Sequence, residues 1–378
     1  MTRQPPSLQS RRRTGRRYTI LLFVVLALVA GWTGLWKFAA DRVQQTLDGW
    51  RAREAASGRV YSCGSQSVGG FPFRFEVDCA DATVLLRGNK PPLEAKAAGL
   101  LVVAQIYQPN LLISEFTGPF SIAEPGHPVE FIANWTLGQS SLRGTPAAPE
   151  RISVVFERAS LDRMVGDAEV NVLHAKRIEL HGRIAEGSAA RHPVIEMVLR
   201  LSQASAPSLH PAAVQPVDAD ITAVLRGLKD FAPKSWPARL RELQAAGGSI
   251  DIARMRVTQG ETLAVGGGTL SLNGNGRLDG QLRITVAGLD PFLASINAEQ
   301  MVQSSPQMDK LAGALNRLAP GLGDVTRQQA SINISSGIKM LGEKTTLEGR
   351  QAVTLPLRFD DGRIFLGPIP IGKAPAVF

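Results

Sequence analysis

Aromatic side chains are scarce in this chain, 22 of 378 residues or 6%, and charged residues make up only 20%. Cysteine is nearly absent, with two. Hydrophobic residues nevertheless reach 44%, and no long polar low-complexity tract interrupts them. That balance excludes a generally disordered chain, and the length is enough to bury a sizeable core. Acidic residues are missing from the first 17 positions, which hold Arg3, Arg11, Arg12, Arg13, Arg16 and Arg17. Those six supply most of the formal charge of +9, leaving about +3 for everything that follows. The basicity is therefore a tail and not a face of the folded body, and no nucleic-acid partner is expected.

Long apolar runs are limited to one. Tyr18 to Trp36 (YTILLFVVLALVAGWTGLW) meets no charge until Lys37. At 1.5 Å per residue this run spans about 28 Å, close to a hydrocarbon core of roughly 30 Å. Tyr18, Trp32 and Trp36 lie near its ends, where aromatic rings favour the headgroup zone. The arginines before it predict an N-terminus held in the cytoplasm, with the rest of the chain in the periplasm. The expected order is a basic tail (1–17), a transmembrane signal-anchor (18–38) and a helical stalk (39–57) ended by Gly58. A cleaved signal peptide is the alternative. Its best site, Phe38-Ala39-Ala40, puts Phe where a small residue is wanted, and the run outlasts a usual h-region of about 7–15 residues. A single-pass inner-membrane protein is the expectation.

Cys63 and Cys79 both follow the apolar run. In an oxidising compartment a disulfide is the default, closing a short loop over a strand, a Gly69-Gly70 turn and a second strand. A metal or redox pair is the alternative, though neither a C-x-x-C pair nor a nearby His supports it.

Beyond the stalk, the recurring signal is period-two alternation of apolar and polar residues, the mark of half-buried strands. Ile195, Met197, Leu199 and Leu201 alternate in this way, as do Leu282, Ile284 and Val286, and Val353, Leu355, Leu357 and Phe359. The apolar phase flips between Ile250/Ile252 and Met255/Val257, which predicts a bulge or bend. Turn signals punctuate the strands at Pro125-Gly126, Gly182, Gly247-Gly248, Gly266-Gly267-Gly268, Asn273 to Gly276, Asp279-Gly280 and Asp361-Gly362. Helical patterns are few: a short one at 237–246 and a helical insertion near 291–319. The fold class expected is mainly β: a long antiparallel, curved sheet, trough-like or sandwich-like, with a few short helices. Pro-rich stretches suggest a soft division into β halves at 58–232 and 233–378.

Catalytic patterns are wanting. There is no G-x-S-x-G, and Gly247-Gly248-Ser249-Ile250-Asp251 fails at its last position. Gly274 to Gly280 has one residue too many for a dinucleotide loop and lies between strands. His127, His192 and His210 each precede a proline, while His174 and His181 are an odd seven apart on one predicted strand. Neither a metal nor a cofactor is expected, and no enzymatic activity.

Two segments are unusual. Gly70-Phe71-Pro72-Phe73-Arg74 sets two aromatics around a proline that cannot donate to a ladder, as a hairpin tip, an apolar rim or a docking site. The stretch from Leu355 to Gly372, LPLRFDDGRIFLGPIPIG, reads as two strands about an Asp-Gly turn, ended by prolines. With Cys63 and Cys79, these segments resemble the bacterial family called domain of unknown function 2125, over nearly the whole exported region. The resemblance implies a membrane-anchored periplasmic protein without an assigned reaction. Residues 249–290 are also similar, in their Gly-rich hairpin rhythm, to AsmA-like envelope proteins. Those are implied to be β-rich, anchored by one helix and concerned with phospholipid or outer-membrane homeostasis.

Alternating strands give each sheet one apolar face, and the helices are too few to cover it. The sheet must then close on itself or shield something apolar. The leading expectation is a non-enzymatic β protein of the inner membrane that binds or shuttles a phospholipid or other acyl-chain ligand. Its candidate lining is Leu270, Leu272, Leu282, Ile284, Val286, Leu355 and Leu357, with Phe71, Pro72, Phe73 and Arg74 at the rim. The competing expectation is a ligand-free scaffold for an envelope protein partner.

Overall fold

The structure is a computed structural model that describes residues 11–295 and 342–377, apart from Ala147, Leu209, His210, Pro233 and Pro368. It opens with one helix, α1 (Arg11–Ala56). No proline interrupts these 46 residues, and Gly58 ends the helix in a left-handed conformation, φ 82°. The window of mean hydropathy 2.1 within α1 contains no buried residue, and it is long enough to cross a bilayer.

The chain then forms β1 (Arg59–Ser62), β2 (Ser65–Gly69), β3 (Arg74–Leu86), β4 (Leu93–Gln105), β5 (Gln108–Ala123), β6 (Val129–Asn134), β7 (Leu137–Thr145), β8 (Ala148–Val165), β9 (Ala168–Ser188), β10 (Arg191–Ala204) and β11 (Val217–Arg226). A short helix, α2 (Trp236–Ala245), precedes β12 (Ser249–Gln259), β13 (Thr262–Leu272) and β14 (Leu278–Ala287). Last come α3 (Leu289–Ser295), β15 (Glu343–Leu347), β16 (Arg350–Asp360), β17 (Arg363–Leu366) and β18 (Ile369–Lys373). The helical insertion expected near 291–319 lies outside the described residues except for its start in α3.

All eighteen strands belong to one antiparallel sheet. It is a meander in which strands pair with near neighbours in sequence. β1 and β2 share the outer side of β3, β6 and β7 share the space between β5 and β8, and β14 pairs with β16. β11 pairs with β12 over ten positions, and α2 lies in the connection between them. Among the described residues no register joins the first edge to the last.

Turn chemistry sets several hairpins. Asp361 and Gly362 both have positive φ, 51° and 75°, as a two-residue hairpin requires. The phase flip read between 250 and 257 is a register shift between Ile252 and Met255. Three glycine signals that read as turns are corrected by the structure. Gly182 lies inside β9, Gly266-Gly267-Gly268 inside β13 and Asp279-Gly280 inside β14. A Cβ at Gly266, Gly268 or Gly280 would collide with a carbonyl oxygen of the neighbouring strand. These glycines therefore permit close backbone approach within the ladder instead of reversing the chain.

Candidate functional site

Directly opposed residues of an antiparallel pair point to the same face, so the registers trace each face across the sheet. One row runs Val68, Val77, Val102, Ser114, Ser140, Val154, Leu180, Leu199, Ile221, Met255, Gly266, Ile284, Leu355. The row beside it runs Phe75, Ala104, Leu112, Leu142, Ile152, Gly182, Met197, Ala223, Ile252, Gly268, Leu282, Leu357, Leu366. Neither row contains a charge. At roughly 4.8 Å per strand, thirteen strands carry this apolar face for about 58 Å along the sheet.

The opposite face is polar. Glu157, Arg177, Glu179, Arg200, Asp220 and Arg254 form a chain of ion pairs over β8 to β12, with N···O distances of 2.5–3.5 Å. Hydrogen bonds, first from Arg177 and then from His181, hold the Glu179 carboxyl below its ordinary pKa. A shallow depression of about 400 Å³ on this face is lined by Arg177, Glu179, Arg200, Asp220 and Arg256. Arg177 pairs with Glu179, Arg200 with Asp220 and Arg256 with Glu348, while Asp218 at its border accepts hydrogen bonds from Gln203. Among the described residues no group of three His, Cys, Asp or Glu could hold a metal ion.

The apolar face is covered at both ends and open between them. At the last strands, Leu289 and Leu293 of α3 join Leu282, Ile284, Val286, Val353, Leu355 and Leu366 in the main buried cluster, with Leu270 and Leu357 packed against it. Leu272 is half-buried, opposite Leu278. Most of the residues expected to line a cargo cavity thus form a closed core. In the middle strands the same face is less covered: Ile152 is 44% exposed and Leu180 45%, with half-buried Val154, Met197 and Leu199 around them. Sequence reasoning missed these two, because alternation marks a face and not what covers it.

The first edge is held by α1. Cys63 and Cys79 are disulfide-bonded with Cα atoms 5.4 Å apart, which pins the break between β1 and β2 onto β3. Arg51 Nη2 donates to Cys63 Sγ at 3.1 Å, Gln66 Nε2 to Gln44 Oε1 at 2.8 Å, and Trp50 packs on Tyr61 with centroids 4.8 Å apart. The stalk is thus a helix laid against the sheet. The expected rim residues form the β2–β3 hairpin tip, where Gly70, at φ 99°, accepts from the Arg74 amide. Trp36 meets Phe71 edge-on at 5.5 Å and stacks on Phe75 at 5.8 Å. Arg74 pairs with Glu76 at 2.7 Å.

One long helix, apolar in its first half, against the first edge of a single antiparallel sheet defines the class: a helix-led, single-sheet β protein. The chain belongs to the family described as uncharacterized protein conserved in bacteria (DUF2125), which matches residues 36–375, about nine tenths of its length. No curated protein matches it. The match does not extend to the AsmA-like envelope proteins that residues 249–290 resemble in rhythm.

Proposed function

We propose that this chain is a non-catalytic lipid-binding protein, anchored in the bacterial inner membrane by α1, that receives acyl chains on the open apolar face of its sheet. The carrying observation is the pair of charge-free rows across thirteen strands, least covered in their middle, where Ile152 and Leu180 are nearly half exposed. Covering apolar surface is worth about 25 cal/mol per Å², or about 0.8 kcal/mol per methylene. An acyl chain laid on this face exchanges one apolar environment for another, while the exposed apolar side chains gain cover. The arginines before the apolar window support a cytoplasmic N-terminus and a periplasmic sheet. Continuation of α1 past that window to Ala56, packed on β1 to β3, supports an anchor that stays attached.

The test places a photo-crosslinking amino acid at Leu180 of the full chain in its native membrane, followed by mass spectrometry of the adducts. Lipid adducts at Leu180, absent from the same label at Arg200 on the polar face, are expected. Their absence, together with one stoichiometric protein adduct at Leu180, would overturn the lipid reading and favour the scaffold.

A further inference from the structure

We propose that the tips of the β2–β3 and β4–β5 hairpins, carrying Phe71, Phe73 and Tyr107, insert into the leaflet from which α1 emerges. That rim of the sheet would then meet lipid directly. This rests on the reading of α1 as a membrane span, and adds a contact that neither the span nor the apolar face requires.

Depth is the first argument. Trp32 Nε1 donates to the Pro72 carbonyl at 3.1 Å, and Trp36 Nε1 to that of Arg74 at 3.2 Å. Trp32 precedes Lys37, the first charge after the apolar run, by five residues. At 1.5 Å per residue it lies about 7.5 Å to the hydrocarbon side of Lys37. A turn hydrogen-bonded to Trp32 shares that level, so it cannot stand clear of the membrane surface while α1 spans it.

The second argument is what the tips display. Phe73 is 64% exposed and Phe71 48%, although both contact the helix tryptophans. The Ile106 amide donates to the Phe73 carbonyl at 3.0 Å, which sets the next hairpin tip alongside, with Tyr107 71% exposed. Three uncovered aromatic rings on two adjacent tips, beside interfacial tryptophans, have the composition of a membrane-interface belt. Tyr107, apolar in body with a polar tip, suits the headgroup level. Arg74, the guanidinium beside these tips, is already paired with Glu76. The patch is continuous with the apolar window of α1, which selects a lipid surface as its occupant.

The experiment uses the full chain in vesicles of phosphatidylethanolamine and phosphatidylglycerol containing a trace of phosphatidylcholine spin-labelled near the glycerol. The described residues contain no free cysteine. A Tyr107→Cys variant therefore takes an environment-sensitive fluorophore at an exposed site. The expected result is blue-shifted emission and strong quenching at Tyr107. Asp167→Cys, in the exposed turn between β8 and β9 on the opposite rim, should stay unquenched with the emission of a label in water. Emission at Tyr107 matching that at Asp167 would overturn the proposal. Leu26→Cys, at the middle of the apolar window, is the third arm, and emission there like that of a label in water would remove the span and the rim insertion together. Lipid capture at Leu180 is read separately. Capture with an unquenched Tyr107 defeats only the rim, and quenching without capture defeats only the cargo.

Discussion

At the scale of single residues, the glycines of β13 and β14 show how a missing side chain shapes a sheet. Gly266 lies opposite Ile284 and Gly268 opposite Leu282, and a Cβ at either would meet neighbouring backbone. Backbone cannot yield as a flexible side chain can, so Gly266→Val should destabilise the closed end by at least the about 1–3 kcal/mol typical of overpacking. Loss of amide-exchange protection in β13 and β14, with β4 and β5 unchanged, would register it. Glu179 offers a pH-dependent counterpart on the polar face. Its carboxyl is held below the ordinary value, so its stabilisation is fully present above the unfolded pKa and is lost as pH falls through the folded one. Thermal midpoints measured from about pH 6 downward should therefore fall more steeply for the parent chain than for Glu179→Gln, beginning near the ordinary glutamate pKa of about 4.3. Parallel slopes would show that the ion-pair chain adds nothing. The sequence carried half of this detail. The segment from His174 to His181 that holds Glu179 read as a strand, but the same letter, Gly, marks a hairpin at Gly362 and a strand interior at Gly266. Only the partner strand decides which.

At the scale of elements, the β2–β3 hairpin depends on a covalent tie where its own ladder is shortest. β2 pairs with β3 over five residues, and β1 over four, with the break at Cys63 between them. In the chain-entropy account, a crosslink closing a loop of this size is worth about 3 kcal/mol. A Cys63→Ala, Cys79→Ala double variant should therefore show faster amide exchange from Arg59 to Asp78, while β10 to β14 keep their rates, in hydrogen-exchange mass spectrometry of the two proteins. Uniform loosening of the whole sheet would show that the bond serves global stability instead. The pairing was legible from two cysteines flanking a hairpin pattern, and α1 from its apolar run and the Gly58 stop. The place of Tyr107 was not. An isolated aromatic in Gln-Ile-Tyr-Gln carries no pattern, and its neighbourhood with Phe73 arises only from the β3–β4 register, in which Arg74 opposes Gln105.

At the scale of the whole molecule, one face changes character along its length without changing chemistry. Leu355 and Leu180 belong to the same cross-strand row, yet Leu355 is 1% exposed under α3 and Leu180 is 45% exposed. The row was readable from period-two patterning. The boundary between its closed and open parts was not, because it depends on where α3 returns over β14 and β16. The contrast sets a paired test of what the open part is for. Leu355→Ala empties a packed site and should cost about 2–5 kcal/mol. That loss would appear as a lower unfolding midpoint, with lipid capture in the middle strands retained below it. Leu180→Lys removes no packed volume, since its side chain already meets solvent, and should leave the midpoint within about 0.5 kcal/mol of the parent. It would, however, set a charge on an otherwise charge-free row where an acyl chain would lie, at a desolvation cost that no nearby carboxylate offsets. Lipid recovered with detergent-extracted Leu180→Lys, quantified by native mass spectrometry, should fall several-fold while the fold persists. If Leu180→Lys instead carried as much lipid as the parent, the middle strands would not be the seat of cargo, and their bare face would have to be covered by something other than hydrocarbon.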